Sequence, residues 1–442
     1  MIRSALDQVL PGVIADLQRL VAIPSVSSLP EHDDDVLAAA DEVSRLLRDA
    51  GCPEVRLLEA GGKPAVYGHY PAPEGQPTVL LYAHYDVQPT GDLAQWTSAP
   101  FEAVERDGRL WGRGTADDKG GFAAHLAALR AYDGKPPVGV KVFIEGEEEL
   151  GSPTIDAMLD KYPDELTADV YVVADAINWE VGTPSITTTL RGLVDAKVTV
   201  STLESPLHSG GYGGVVPDAL TALARLLATL HDERGNVAIE GLDASDDVAT
   251  DYSEARLREE TGLLEGVEFI GDGPAAARMW TKPTASVLAI DATPVKDVSN
   301  VLVASARAVV SVRLAPTQDP EAAGEALERH LLENAPWGAR VDVELGRGSG
   351  GSRTELSGGR AEAAVAALRE AFGTEPVEVG IGGSIPIVAQ FAARNPGSLV
   401  LVTAVTDPLS RIHGIDESLG LDDFAKAALA ETLLLDKLAG DL

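Results

Sequence analysis

The chain has 442 residues, with 35 Lys+Arg against 69 Asp+Glu and a formal net charge of −34 at pH 7. Such an acidic balance repels phosphate backbones and anionic lipid surfaces, which argues against nucleic acid or a membrane as partner; 45% hydrophobic residues and a mean hydropathy near zero exclude acidic disorder. A single cysteine, Cys52, excludes an internal disulfide framework and a thiolate zinc knuckle, and it points to a reducing cytoplasm.

In chain order, Met1-Ile2-Arg3-Ser4-Ala5-Leu6-Asp7 places an acid where a secretory core needs about 7–15 apolar residues, so no signal peptide is expected. No run approaches the ~20 apolar residues of a membrane span. Val36, Leu37, Ala40, Val43, Leu46 and Leu47 recur at helical spacing and stop at Gly51, which predicts an amphipathic helix with a glycine cap. The runs Val79–Ala83, Val140–Ile144 and Val170–Ala174 are short and apolar, and they predict buried strands of a central sheet. Each leads directly into groups that bind metal or protons: His84-Tyr85-Asp86, Glu145-Gly146-Glu147-Glu148-Glu149, and Asp175. Ligands of open α/β sheets gather at the carboxyl ends of strands, so three distant segments are expected to meet.

From about Thr187 the texture changes to a β-rich stretch (185–200), a helical run near Asp218–Leu230 and a strand-like run Ala304–Leu314. Gly346–Ser352 reads as a flexible return hinge. Helical patterns resume at Ala361–Phe372 and close the chain at Asp422–Leu438. The expected fold is α/β: a mostly parallel central sheet with helices on both faces, formed by 1–186 and 352–442, with an α+β domain inserted at 187–351.

Five segments carry the chemistry: His84-x-Asp86, Gly112-Arg113-Gly114-Thr115-Ala116-Asp117-Asp118-Lys119-Gly120, Glu148-Glu149, Asp175 and His413. Oxygen and imidazole donors without thiolate suit zinc, manganese or cobalt, zinc above all where two histidines take part. Two metals need a bridging carboxylate and terminal ligands on each side, a count these residues can meet. Asp117-Asp118 also suits a helix N-cap, since a helix is expected from Lys119.

These segments, in this order over most of the chain, resemble the di-zinc metallopeptidase family of aminoacylases, carboxypeptidase G and carnosine dipeptidases. His84-Tyr85-Asp86-Val87-Gln88-Pro89, Trp96, Pro100-Phe101 and Leu110-Trp111-Gly112-Arg113-Gly114 look most like its dipeptidase branch. The resemblance implies two divalent metals per chain: His84, Asp117 and Asp175 on one, Asp117, Glu149 and His413 on the other, with Asp117 bridging. It implies Asp86 as the carboxylate that orients His84, Glu148 as general base, and a ferredoxin-like inserted domain that serves as dimerisation or lid domain. His208, in Leu207-His208-Ser209-Gly210-Gly211, matches the family's oxyanion donor supplied in trans across a homodimer; Arg313, Asn300 and Ser384 match its substrate-carboxylate positions. The sequence departs from the family at His413-Gly414-Ile415-Asp416-Glu417, where Ser-Pro-Asn is common before the glutamate, and at Val303, where proline is common.

The expected activity is hydrolysis of dipeptides or short peptides with a free C-terminal carboxylate, with deacylation of N-acyl amino acids as the alternative and a non-catalytic binding scaffold as the rival from another class. His125 has the spacing of a core-facing helical position, while His32, His69, His231 and His330 lack a matching acid constellation. Cys52 reads as a packed thiol beside the Gly51 cap.

Overall fold

The structure is a computed structural model that describes residues 2–383 and 385–440. The described chain divides into two compact units, one of residues 2–188, 354–379 and 385–440, the other of residues 189–353 with 380–383. Among the described residues no helix is long and apolar enough to cross a membrane.

The first unit is built on a sheet ordered Glu54–Leu58, Ala65–Tyr70, Gly139–Glu145, Thr78–His84, Val170–Val173, Leu399–Thr403 and Ser185–Leu190. The middle four strands run parallel and the flanking pairs antiparallel. Alternate side chains leave a strand on opposite faces, and both faces here are apolar. Val79, Leu81, Ala83, Val140, Val142, Ile144, Val170 and Val172 pack into the core formed with helices Ile2–Val21, Asp33–Asp49, Lys119–Ala131, Gly359–Phe372 and Leu421–Leu438. On the other face Tyr82 meets Phe143, and Tyr171 stacks at 4.1 Å on Phe391 of helix Pro386–Arg394. Helices therefore cover both faces of a largely parallel sheet.

Local signals set the boundaries. Asp118 caps the Lys119–Ala131 helix, its Oδ1 accepting from Gly121 N at 3.1 Å. The Asp33–Asp49 helix ends before Gly51, whose φ of +78° is left-handed and favours glycine.

The second unit is a four-stranded antiparallel sheet ordered Thr284–Asp291, Ser305–Leu314, Gly192–Ser201 and Arg340–Leu345. With helices Ala219–Ala228 and Pro320–Glu333 between its strands, the chain order is β-α-β-β-α-β, the ferredoxin-like arrangement. Val194, Ala196, Val198, Val200, Val310 and Val312 bury one face with Leu223, Leu226 and Leu327 of the helices. Asp218 caps the first helix through Thr221 N at 3.0 Å.

Candidate metal centre

Because the 78–84, 139–145, 170–173 and 399–403 strands are parallel, their carboxyl ends lie along one edge of the sheet. The first delivers His84 and Asp86, the second the turn Glu148–Leu150, the third Asp175, and the fourth the loop that carries His413. Two groups of donor atoms result, each with its members within 4.8 Å of one another: His84, Asp118 and Asp175, and Asp117, Glu149 and His413.

Asp117 stands between the two imidazoles. Its Oδ1 lies 3.0 Å from His84 Nε2 and its Oδ2 2.9 Å from His413 Nε2, one oxygen toward each half of the site. Burial pushes its carboxyl up, but contacts with His413 and His84 hold it well below the usual carboxylate range. His413 Nε2 also reaches Glu149 Oε2 at 3.2 Å, and Asp117 and Glu149 together push the imidazole up to about 10. Burial raises Asp175 well above its ordinary value, reinforced by Asp118 and Asp117.

Geometry distinguishes the adjacent acids. Asp118 accepts backbone hydrogen bonds on both oxygens, Oδ1 from Gly121 N and Oδ2 from His84 N at 3.3 Å, whereas the oxygens of Asp117 face the imidazoles. The acid run after the second strand divides similarly. Glu145 accepts from Tyr82 Oη at 2.8 Å; Glu147 accepts from Lys63 N at 2.9 Å and Thr154 N at 3.0 Å, leaving Glu148 and Glu149 toward the site.

Asp86 is fully buried and organises two segments at once. Its oxygens accept from Glu148 N at 3.2 Å, Glu149 N at 3.1 Å and Ser27 Oγ at 2.7 Å. His84 Nδ1 lies 3.1 Å from its main-chain oxygen and 3.4 Å from its carboxylate. Glu148 Oε2 lies 3.9 Å from His84 Nε2, and burial raises its carboxyl well above the ordinary value, opposed by His84 and reinforced by Asp175 and Asp117.

Three supporting residues were not singled out from the sequence as site groups. Gln88 Nε2 donates to Glu149 Oε2 at 2.7 Å. Arg113 and Glu417 form a buried pair at 2.5 Å, with Glu417 Oε1 accepting from Gly114, Ala116 and Asp117 N–H at 3.0, 3.0 and 3.1 Å. Gly114 has φ +80°, and a Cβ there would stand 2.6 Å from Val87 Cγ1, so glycine is what lets this loop close on the carboxylate. The one signal of this in the sequence is that Gln88, Arg113 and Glu417 fall inside the segments that carry the candidate ligating residues.

The donor set fits divalent cations. Asp117, Asp118, Glu148, Glu149 and Asp175 crowd two imidazoles, and among the described residues no Lys or Arg pairs with any of the five. Buried like charges need compensation, which two cations on oxygen and nitrogen donors supply.

His208, Asn300 and Arg313 belong to the second unit. His208 is exposed, lies in a short pairing with Val301, and its Nδ1 accepts from Gly210 N at 3.1 Å; Asn300 O accepts from Ser209 N at 2.9 Å beside it. Arg313 lies on the 305–314 strand opposite Leu193 and Thr284. Ser384 lies outside the described residues.

Residues 80–437 match the family model described as peptidase family M20/M25/M40. A cysteinylglycine-S-conjugate dipeptidase of Corynebacterium striatum is 35% identical over 430 residues, covering 96% of this chain and 94% of that protein. A Cys-Gly metallodipeptidase of Saccharomyces cerevisiae is 26% identical, covering 95% and 94%. Among solved structures, human carnosine dipeptidase 1 superposes with a TM-score of 0.83 at 23% identity over 99% of this chain and 98% of that one. An M20 family metallo-carboxypeptidase of Sulfolobus solfataricus gives 0.82 at 25% identity over 97% and 99%.

Proposed function

This chain belongs to peptidase family M20/M25/M40 and is a metal-dependent dipeptidase of that family, and on that premise we propose how its residues divide the work. His84, Asp117 and Asp175 hold one divalent ion; Asp117, Glu149 and His413 hold a second, with zinc best suited to paired imidazole and carboxylate donors. Such a pair, when bound, supplies a water of lowered pKa and polarises the scissile carbonyl. Glu148 takes the proton of the attacking water and returns it to the amine nitrogen as the C–N bond breaks. Asp86 holds His84 and the Glu148-Glu149 turn in one frame, the role expected of a carboxylate behind a ligating imidazole.

The observation that carries this reading is the position of Glu148: it stands 3.9 Å from His84, yet Asp117 already offers an oxygen to each imidazole, so the ligand count does not need it. Free-acid dipeptides are the substrate class that fits both the relatives named above and Arg313, whose guanidinium has no carboxylate partner among the described residues. Asn300 and Ser384 join Arg313 on the substrate carboxylate, and His208 donates to the tetrahedral oxyanion from the partner subunit of a homodimer; losing such a donor costs about 2.7–4 kcal/mol of transition-state stabilisation. A single, packed cysteine fits a reducing compartment such as the cytoplasm.

Glu148→Gln tests the assignment. Turnover is expected to fall by about 10²–10⁴-fold while elemental analysis still finds two divalent ions per chain. Loss of an ion would move Glu148 into the ligand set, and retained turnover would remove it from the chemistry.

A further inference from the structure

Arg191 sits at the junction of strands Ser185–Leu190 and Gly192–Ser201, and it is 9% exposed. Its Nε donates to Gly382 O at 3.0 Å and its Nη1 to Thr284 Oγ1 at 3.1 Å, while its own N–H is taken up by Gly383 O at 3.2 Å. All these partners are neutral. No ion pair involves Arg191 among the described residues, so a buried guanidinium is held in place by dipoles without a counter-charge. Leaving a buried charge unpaired is costly, and proteins rarely retain one without an occupant to neutralise it.

The neighbouring charge has the same sign. Thr284 pairs directly with Arg313 across the 284–291 and 305–314 strands, and directly opposed residues project on one face. The hydroxyl that anchors Arg191 therefore sits beside Arg313. This face is the one turned away from the helices, since the alternating positions Val194, Ala285, Val312 and Leu314 are those buried in the helical core. Arg313 likewise has no carboxylate partner among the described residues. Burial, and after it the like charge of Arg313, pull the Arg191 guanidinium down to about 10.

We propose that Arg191 and Arg313 form a two-guanidinium anion site on the open face of the four-stranded sheet, and that Arg191 is a second, specificity-determining contact for the C-terminal carboxylate of the peptide substrate. The proposal rests on Arg313 as the carboxylate clamp and extends that reading to a residue fixed in advance by Gly382 and Thr284. A planar guanidinium held by two acceptors loses little freedom on binding, so its contribution goes to discriminating a carboxylate from an uncharged terminus. Thr284 acts as a positioning residue, through Arg191.

The test compares kcat/KM for the dipeptide Cys-Gly with that for its C-terminal amide in the metal-loaded enzyme. Charge-assisted hydrogen bonds of this kind discriminate by about tenfold or more. Arg191→Gln is expected to lower the acid-to-amide ratio by about tenfold, chiefly through KM of the acid, and Arg191→Lys to restore part of it. Thr284→Val removes only the acceptor at Nη1, and it is expected to shift the ratio in the same direction by a smaller factor; it keeps the proposal open to refutation if Arg191→Gln does not fold. If Arg313→Gln collapses the ratio while the Arg191 and Thr284 variants change acid and amide alike, Arg191 is structural and the proposal is overturned with the Arg313 reading intact. If the parent enzyme does not distinguish acid from amide and Arg313→Gln leaves it so, both are overturned.

Discussion

Glu417 is the strongest point at which to perturb the metal centre without touching a ligand. It is fully buried; one oxygen accepts from three consecutive-loop N–H groups at 3.0, 3.0 and 3.1 Å, and the other meets Arg113 Nη1 at 2.5 Å. Arg113 Nη2 in turn donates to the main-chain oxygens of Pro89, His413 and Gly414, each at 3.2 Å. The pair thus joins the loop of Asp117, the loop of His413 and the segment after His84. Burial pushes the Glu417 carboxyl up and Arg113 pulls it back; four donors and no acceptor around it leave no place for a proton, so the ionised form is the one that fits. Glu417→Ala strands a guanidinium that is 1% exposed, and breaking a buried pair from one side costs about 3–5 kcal/mol. At about 2–4 °C per kcal/mol for a unit of this size, the melting transition of the unit that holds it should fall by about 6–20 °C. Glu417→Gln keeps an oxygen for the backbone donors but turns an amide toward Arg113, and its effect should be smaller. In both variants the His413 and Asp117 loops lose their common anchor, so affinity for the more weakly held metal should drop by about 10–100-fold, as for other groups behind metal ligands. Calorimetry with and without metal, together with a titration of metal content, measures both effects. A Glu417→Ala protein with the parent melting transition and two tightly bound ions would refute the reasoning.

Two further outcomes follow from buried groups away from the ligands. His125 is fully buried, with Nδ1 2.7 Å from Glu431 Oε2 and Nε2 2.9 Å from Tyr82 O; burial lowers its pKa, and Glu431 raises it by more, to a folded value above the usual 6.5. A folded pKa raised above the unfolded one contributes stability that is complete below about 6.5 and is lost as pH rises through the folded value. The stability difference between the parent and His125→Gln should therefore shrink from pH 6 to pH 9 in denaturant titrations, and a difference independent of pH would exclude a charged pair. The Cys52 thiol donates to Glu54 O at 3.1 Å and burial pushes its pKa up, so labelling by a disulfide reagent should run at least roughly tenfold slower in native buffer than in denaturant. Equal rates would show that the thiol is exposed.

Much of the architecture is written locally. The short apolar runs Val79–Ala83 and Val140–Ile144, the helical spacing ending at Gly51, and an aspartate before each of two helices specify strands, helices and caps with no knowledge of their neighbours. The candidate site was legible as a set of segments because acids following buried strands are costly without a partner. Which acid does what was left open by residue chemistry and was assigned only through the family resemblance. Asp117 and Asp118, or Glu147 and Glu148, are equivalent in composition and differ by one position; Asp118 spends both oxygens on backbone donors, and Glu147 is tied to Lys63 and Thr154.

Sequence alone therefore determined the repertoire: oxygen and nitrogen donors, no thiolate, a parallel α/β framework and an α+β insertion, all consequences of residue chemistry and short-range periodicity. Tertiary structure decided the rest. A carboxylate's role depends on which donors reach its oxygens, and the donors of Glu417 come from residues some 300 positions away in the chain. That Arg191 meets no counter-charge among the described residues is likewise a property of its surroundings, since spacing along a chain carries no record of what is absent nearby.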